Sequence, residues 1–113
     1  MTDLKEKHCS PCRSDDPPLD PAAAARLKIQ LHPRWQISDG GRALHAAFEF
    51  RNYWRTTAFV NAVAWIAHTE DHHPDICFGY KVCEIEYRTH AIGGLSENDF
   101  ICAARIDALL QSP

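Results

Sequence analysis

The sequence predicts an α+β fold: a four-stranded antiparallel sheet with three helices on one face, in the order α-β-β-α-β-β-α. Three observations carry that prediction. Residues 44–50 and 82–88 alternate apolar and polar positions with a period of two, as half-buried strands do. Phe59, Ala62, Val63 and Ile66 recur at i, i+3, i+4 and i+7, the stripe of an amphipathic helix. The strand candidates come in pairs joined by few residues, which favours antiparallel hairpins over long crossovers.

With 113 residues, 45% of them apolar, the chain is sized for one domain with a real core. Residues 1–20 read as a flexible tail, because Pro11, Pro17 and Pro18 break periodicity and Asp15 and Asp16 resist unpaired burial. Residues 21–113 are the folded unit. Asp20 is a good N-cap and Pro21 a good first helical residue, so a helix runs to Leu31 before Pro33. Trp35-Gln36-Ile37 begins a strand, and Asp39-Gly40-Gly41 turns it back. On the return, Leu44, Ala46, Phe48 and Phe50 share one face, with Ala43, His45, Ala47 and Glu49 on the other.

A helix starts near Tyr53 and stops by His73, because Pro74 disfavours helical geometry in the residue before it. Residues 76–80 make a short strand. In the longer one that follows, Cys83, Ile85 and Tyr87 alternate with Val82, Glu84, Glu86 and Arg88. Gly93-Gly94 turns the chain. Ser96 then caps the last helix, Asp99 stands at the N3 position of an S-x-x-D box, and Leu95 and Phe100 sit where a hydrophobic staple would. Cys102, Ala103, Ile106, Leu109 and Leu110 form its apolar stripe.

Composition narrows the function. Twelve Lys and Arg against fifteen Asp and Glu leave a net charge of -3, which supplies no basic field for direct nucleic-acid binding. No apolar run approaches the roughly 18–20 residues that cross a bilayer. Residues Met1 to His8 lack the apolar core of a secretion signal, so a cytoplasmic protein is expected. The five cysteines are then reduced thiols. Cys9-x-x-Cys12 beside His8 is half of a zinc site without the other half, and no bound metal is expected. There is no G-x-S-x-G elbow and no Gly-rich phosphate loop.

Imidazole is the main chemical resource. Of seven histidines, His8, His32, His45 and His68 stand where ordinary roles suffice. His72 and His73 end a helix, and His90 ends a strand just before Gly93-Gly94. Such loop positions held by rigid elements concentrate catalytic groups, and imidazoles exchange protons near neutral pH. Two other readings stay open on spacing alone: cations complementing a helix dipole, and a metal site with Asp71 and Asp75 as further ligands.

Four segments stand in register. They are Asp71-His72-His73-Pro74, the aromatic Tyr80, Thr89-His90, and Gly94-Leu95-Ser96-Glu97-x-Asp99. From about Pro33 to Leu110 the chain resembles the pterin-4a-carbinolamine dehydratase family. The N-terminal Cys-x-x-Cys is similar to that of bacterial members associated with phenylalanine hydroxylase. The resemblance implies loss of water from a 4a-hydroxytetrahydropterin to give quinonoid dihydropterin, with no metal and no cofactor. By the same resemblance His72, His73 and His90 are the acid–base and binding set, and Asp99 supports them. Asp71, Arg88, Thr89 and Ala91 are similar in position to substrate-binding residues. It also implies a pterin substrate, a partner hydroxylase, and a homodimer or homotetramer built on a continuous sheet. Relatives that serve as dimerisation cofactors of transcription factors, or that act in molybdenum-cofactor metabolism, mark the alternatives. Lys81 directly after Tyr80, and Glu84, Glu86 and Arg88 in the last strand, depart from the usual family pattern.

Overall fold

The computed structural model describes residues 3–111. It runs α1 (Pro21–Lys28), β1 (Gln36–Ser38), β2 (Ala43–Glu49), α2 (Tyr53–Glu70), β3 (Asp75–Phe78), β4 (Val82–Tyr87) and α3 (Glu97–Leu109). The strands pair antiparallel in the order β1-β2-β4-β3. This is the predicted α+β architecture.

The central pair shows why the helices gather on one face. Its register sets Leu44 opposite Tyr87, Ala46 opposite Ile85 and Phe48 opposite Cys83, and all six are buried. Side chains alternate across a strand, so the intervening pairs His45–Glu86 and Ala47–Glu84 share the opposite, wetter face. The apolar face joins Phe59, Val63 and Ile66 of α2, Phe100 and Ile106 of α3 and Ala24 of α1 in one core. Trp35 is wholly buried, edge-on to Phe48 at 5.7 Å, and its Nε1–H donates to Asp107 at 2.9 Å. A buried indole needs such a partner, and Asp107 ties the start of β1 to α3.

Local chemistry sets the boundaries. The Asp20 carboxylate accepts from the Ala23 amide at 2.8 Å, and Asn52 caps α2 through the Arg55 amide at 2.9 Å. The helix expected to reach Leu31 stops at Lys28, after which the chain tightens into i→i−3 bonds at Gln30 and Leu31. The turn after β1 carries positive φ at Asp39, Gly40 and Gly41. Gly94 is required for a different reason: a Cβ there would lie 2.8 Å from Pro18.

That contact belongs to a larger departure from expectation. Residues 3–20 do not trail from the domain; they pack along it. Leu4 is buried in the core, and the Leu19 amide donates to the Leu95 carbonyl at 2.9 Å. Proline spacing hid this because the segment gains little from regular backbone pairing. Single apolar residues and bonds to side chains of the domain hold it instead.

Candidate active site

The geometry starts where α2 ends. Asp71 adopts left-handed backbone, φ 51° and ψ 44°, a conformation that costs a non-glycine residue about 1–3 kcal/mol. Two bonds offset that cost: the His72 amide donates to the Ala67 carbonyl at 3.1 Å and the Asp71 amide to the His68 carbonyl at 3.3 Å. This is a Schellman termination. It reverses the chain at Asp71 and delivers His72 and His73 to the mouth of the sheet.

The His72 ring is fixed from two sides. Its ring stacks on Tyr87 of β4, centroids 5.4 Å apart and planes within 11°. Its Nε2 lies 2.6 Å from Asp99 Oδ1, with the imidazole side chain 12% exposed and the carboxylate 0%. The other Asp99 oxygen accepts from the Thr89 hydroxyl at 2.9 Å and from the Ser96 amide at 3.0 Å. Since the Thr89 proton is committed to Asp99, the 2.7 Å contact between Thr89 and Ser96 has the Ser96 hydroxyl donating. Asp99 therefore does more than stiffen the turn after His90. Both its oxygens are bonded, and it joins the start of α3, the end of β4 and the end of α2. Burial works against a charged His72 ring. The hydrogen bond and charge of Asp99 outweigh it and hold the ring's pKa above its ordinary value.

His73 and His90 contrast with this. Both are exposed, and neither ring has a hydrogen-bond partner among the described residues. His90 opens a single turn, His90–Ile92, that ends at Gly93 in left-handed backbone. Asp71 and Ala91 are exposed as well. Arg88 is half-buried, and its guanidinium is already engaged: it donates to Glu86 at 2.6 Å and to Asp39 at 2.9 Å. It ties the cleft to the turn after β1.

One cleft of about 490 Å³ collects these groups. It is lined by Asp71, His72, His73, Arg88, Thr89, His90 and Ala91, every substrate-binding candidate of the sequence. Its volume lies in the range of roughly 300–1,000 Å³ that holds small organic ligands. Asp99 sits beneath, out of contact with solvent. Tyr80 is not among the lining residues and stacks on Tyr53 at 6.4 Å. The arrangement offers a buried, charge-coupled imidazole beside two free ones, a set able to bind a polar heterocycle and exchange protons with it. Among the described residues no group of three or more His, Cys, Asp or Glu has the geometry to hold a metal ion.

Sequence reasoning missed part of the cleft's lining. Cys9, Ser10, Pro11, Cys12 and Asn98 belong to it too. Asn98 is buried, and its amide brackets Ser10, accepting from the backbone N–H at 3.0 Å and donating to the carbonyl at 2.6 Å. Glu70 accepts from the Cys9 amide at 2.7 Å and bonds the His8 ring at 2.9 Å. Burial opposes the Glu70 charge, but the Cys9 amide, His8 and Arg105 keep its carboxyl below the usual range. Cys9 Sγ lies 3.6 Å from Cys102 Sγ. The available signal was the Cys-x-x-Cys beside a lone Leu4, more apolar content than a solvated tail needs.

Comparison with known proteins agrees over almost the whole chain. The family model described as Pterin 4 alpha carbinolamine dehydratase matches residues 17–109. Relatives from Nitrosomonas europaea (53% identical, 99% of this chain and 97% of theirs) and Nitrosospira multiformis (56%, 98% and 96%) carry pterin-4-alpha-carbinolamine dehydratase as a provisional name. A crystal structure of a transcriptional coactivator/pterin dehydratase from Brucella melitensis superposes with a TM-score of 0.78 at 26% identity, covering 83% of this chain and 99% of that one. A pterin dehydratase-like protein identified as a RuBisCO assembly factor in the alpha-carboxysome gives 0.63 at 31% identity, over 73% and 95%. Matched in sequence over almost its whole length and in overall fold, the chain belongs to the pterin-4-alpha-carbinolamine dehydratase family.

Proposed function

We propose that this protein dehydrates a 4a-hydroxytetrahydropterin to quinonoid dihydropterin and so returns the cofactor used by an aromatic amino acid hydroxylase, phenylalanine hydroxylase being the expected partner. The observation that carries the reading is the meeting of His72, His73 and His90 in one cleft over the buried carboxylate of Asp99. In the reaction the C4a–O bond breaks, the departing hydroxyl takes a proton, and N5 loses one as the C4a–N5 double bond forms. The step needs an acid and a base, and it consumes no electrons. His73 and His90, free and exposed, serve as the exchanging pair. His72, committed to Asp99 through Nε2, keeps its Nδ1 edge for the substrate and holds positive charge near the C4a hydroxyl oxygen as it leaves. Effects of this kind are each worth about 10²–10⁴ in rate.

Turnover of a synthetic 4a-hydroxytetrahydropterin, followed by absorbance, tests the proposal. Dehydration faster than the spontaneous reaction, in proportion to protein, supports it. No acceleration by folded protein refutes it, and binding of a protein partner without turnover would favour the dimerisation-cofactor reading. A homodimer through a sheet edge is part of the proposal: β1 and β3 each pair on one side alone, and unpaired edges invite a second copy. Light scattering giving the 12.8 kDa monomer mass at micromolar concentration would contradict it.

A further inference from the structure

The segment Lys7–Cys12 is the part of the molecule that the family reaction leaves unexplained. It is no helix or strand, yet three separate side chains of the domain hold its backbone. Asn98 brackets both polar groups of Ser10. Glu70, its side chain 4% exposed, receives the Cys9 amide. Arg105 donates through Nε to the Lys7 carbonyl at 3.0 Å. Lys7 adds an ion pair to Glu97 at 2.9 Å. Glu70 ends α2 and Asn98 lies in the first turn of α3, the same two places that supply His72 and Asp99, while Arg105 reaches over from farther along α3. Four consecutive residues, Cys9 to Cys12, then line the same cleft as the histidines. A random tail would have no reason to occupy a buried asparagine in full.

We infer that this segment is a wall of the substrate cleft and that Asn98 is its positioning residue, so that both govern how tightly the pterin binds rather than how fast it reacts. The inference rests on the proposed dehydration and extends it to residues outside the histidine set. Physically, the wall contributes contacts made equally to substrate and transition state. Losing such contacts raises KM and leaves kcat in place. Among the described residues Asn98 hydrogen-bonds to no histidine, and its loss strips the strap without removing a proton-transferring group.

Two variants test this in different ways, each first checked for an intact melting transition. Asn98→Ala removes the bracket; KM should rise about tenfold, a change of about 1.4 kcal/mol, with kcat within about threefold of the unaltered protein. Asn98→Asp keeps an acceptor for the Ser10 amide and loses the donor to its carbonyl, so its KM should fall between the two. Ser10→Trp leaves the anchoring intact, because Ser10 is held through its backbone alone, and places an indole against the cleft; KM should again rise about tenfold or more. If Asn98→Ala does not fold, Ser10→Trp decides alone. Folded variants with KM within about twofold of the parent overturn the inference while leaving the dehydratase reading standing. A drop confined to kcat overturns it too, by making the strap part of the chemistry. Equilibrium binding of a fluorescent oxidised pterin separates the two levels: an unaltered protein that neither binds it nor turns over the carbinolamine sinks both readings together.

Discussion

The floor and the rim of the cleft are built from the same residue type and behave differently. On the floor, His72 is stacked on Tyr87, bonded to a carboxylate with no solvent contact, and joined through it to Thr89 and the Ser96 amide. On the rim, His73 and His90 are exposed and their rings have no hydrogen-bond partner among the described residues. The floor is a charge pair in which His72 Nε2 and both Asp99 oxygens are used internally. The rim keeps its hydrogen-bonding capacity for a ligand. A buried network is worth most when complete, because each unpaired member costs desolvation with no return. An exposed imidazole has little to lose by substitution except its chemistry. Stability should therefore reside in the floor and proton exchange at the rim.

The largest effect expected on this contrast is Asp99→Ala. It leaves the Ser96 amide, the Thr89 hydroxyl and the His72 ring without their shared acceptor. Breaking a buried charged pair typically costs about 3–5 kcal/mol. Denaturant unfolding should show a loss on that scale, and a loss below about 1 kcal/mol would mean the floor is not a unit.

At the rim the balance reverses. His73→Ala and His90→Ala should each lower kcat/KM by about 10²-fold or more, the scale of a general acid or base, while moving the melting temperature little. A fall under threefold in both folded variants would remove proton exchange from the rim. A large fall with severe destabilisation would erase the distinction between the two regions.

The pH dependence of stability sharpens the contrast at His72 alone. Its folded pKa is raised, so its contribution is fully present below the unfolded value of about 6.5 and is lost as pH rises through the folded pKa. The melting temperature of the unaltered protein should thus exceed that of His72→Asn by most near pH 5–6, with the gap closing toward pH 9. A gap that widens with pH would mean the ring is held neutral.

Legibility in the sequence followed the same divide between regular and irregular structure. Strand alternation at Leu44, Ala46 and Phe48, and again at Cys83, Ile85 and Tyr87, placed the sheet and its buried face. Asp20 and Ser96 marked helix starts because capping is local chemistry. The histidine doublet and His90 could be singled out, but no spacing rule could say that Nε2 of His72 meets Asp99, since that contact spans 27 residues and depends on the left-handed turn at Asp71. The strap was illegible for a related reason. Its partners Asn98, Glu70 and Arg105 lie between 61 and 98 residues away. Each bond is to backbone, which carries no sequence signal at the receiving end.

The smallest expected effect tests a detail where floor and helix cap share atoms. Ser96 was expected to cap α3, and both halves of the capping box are present: its hydroxyl faces the Asp99 amide, and the Asp99 carboxylate accepts from its amide at 3.0 Å. The Ser96 hydroxyl also bonds Thr89 at 2.7 Å, inside the buried network. Ser96→Ala therefore removes one buried donor and leaves the Thr89 oxygen with one acceptor site unused, while the Asp99 contacts persist. The expected cost is about 0.5–2 kcal/mol by thermal or denaturant unfolding, well short of that for Asp99→Ala. Because His72 keeps its carboxylate, kcat/KM should change far less than in His90→Ala. An unchanged stability would show that the hydroxyl is dispensable to both cap and floor. A kinetic loss as large as that of the rim variants would instead carry the functional boundary down through Thr89 into the network beneath.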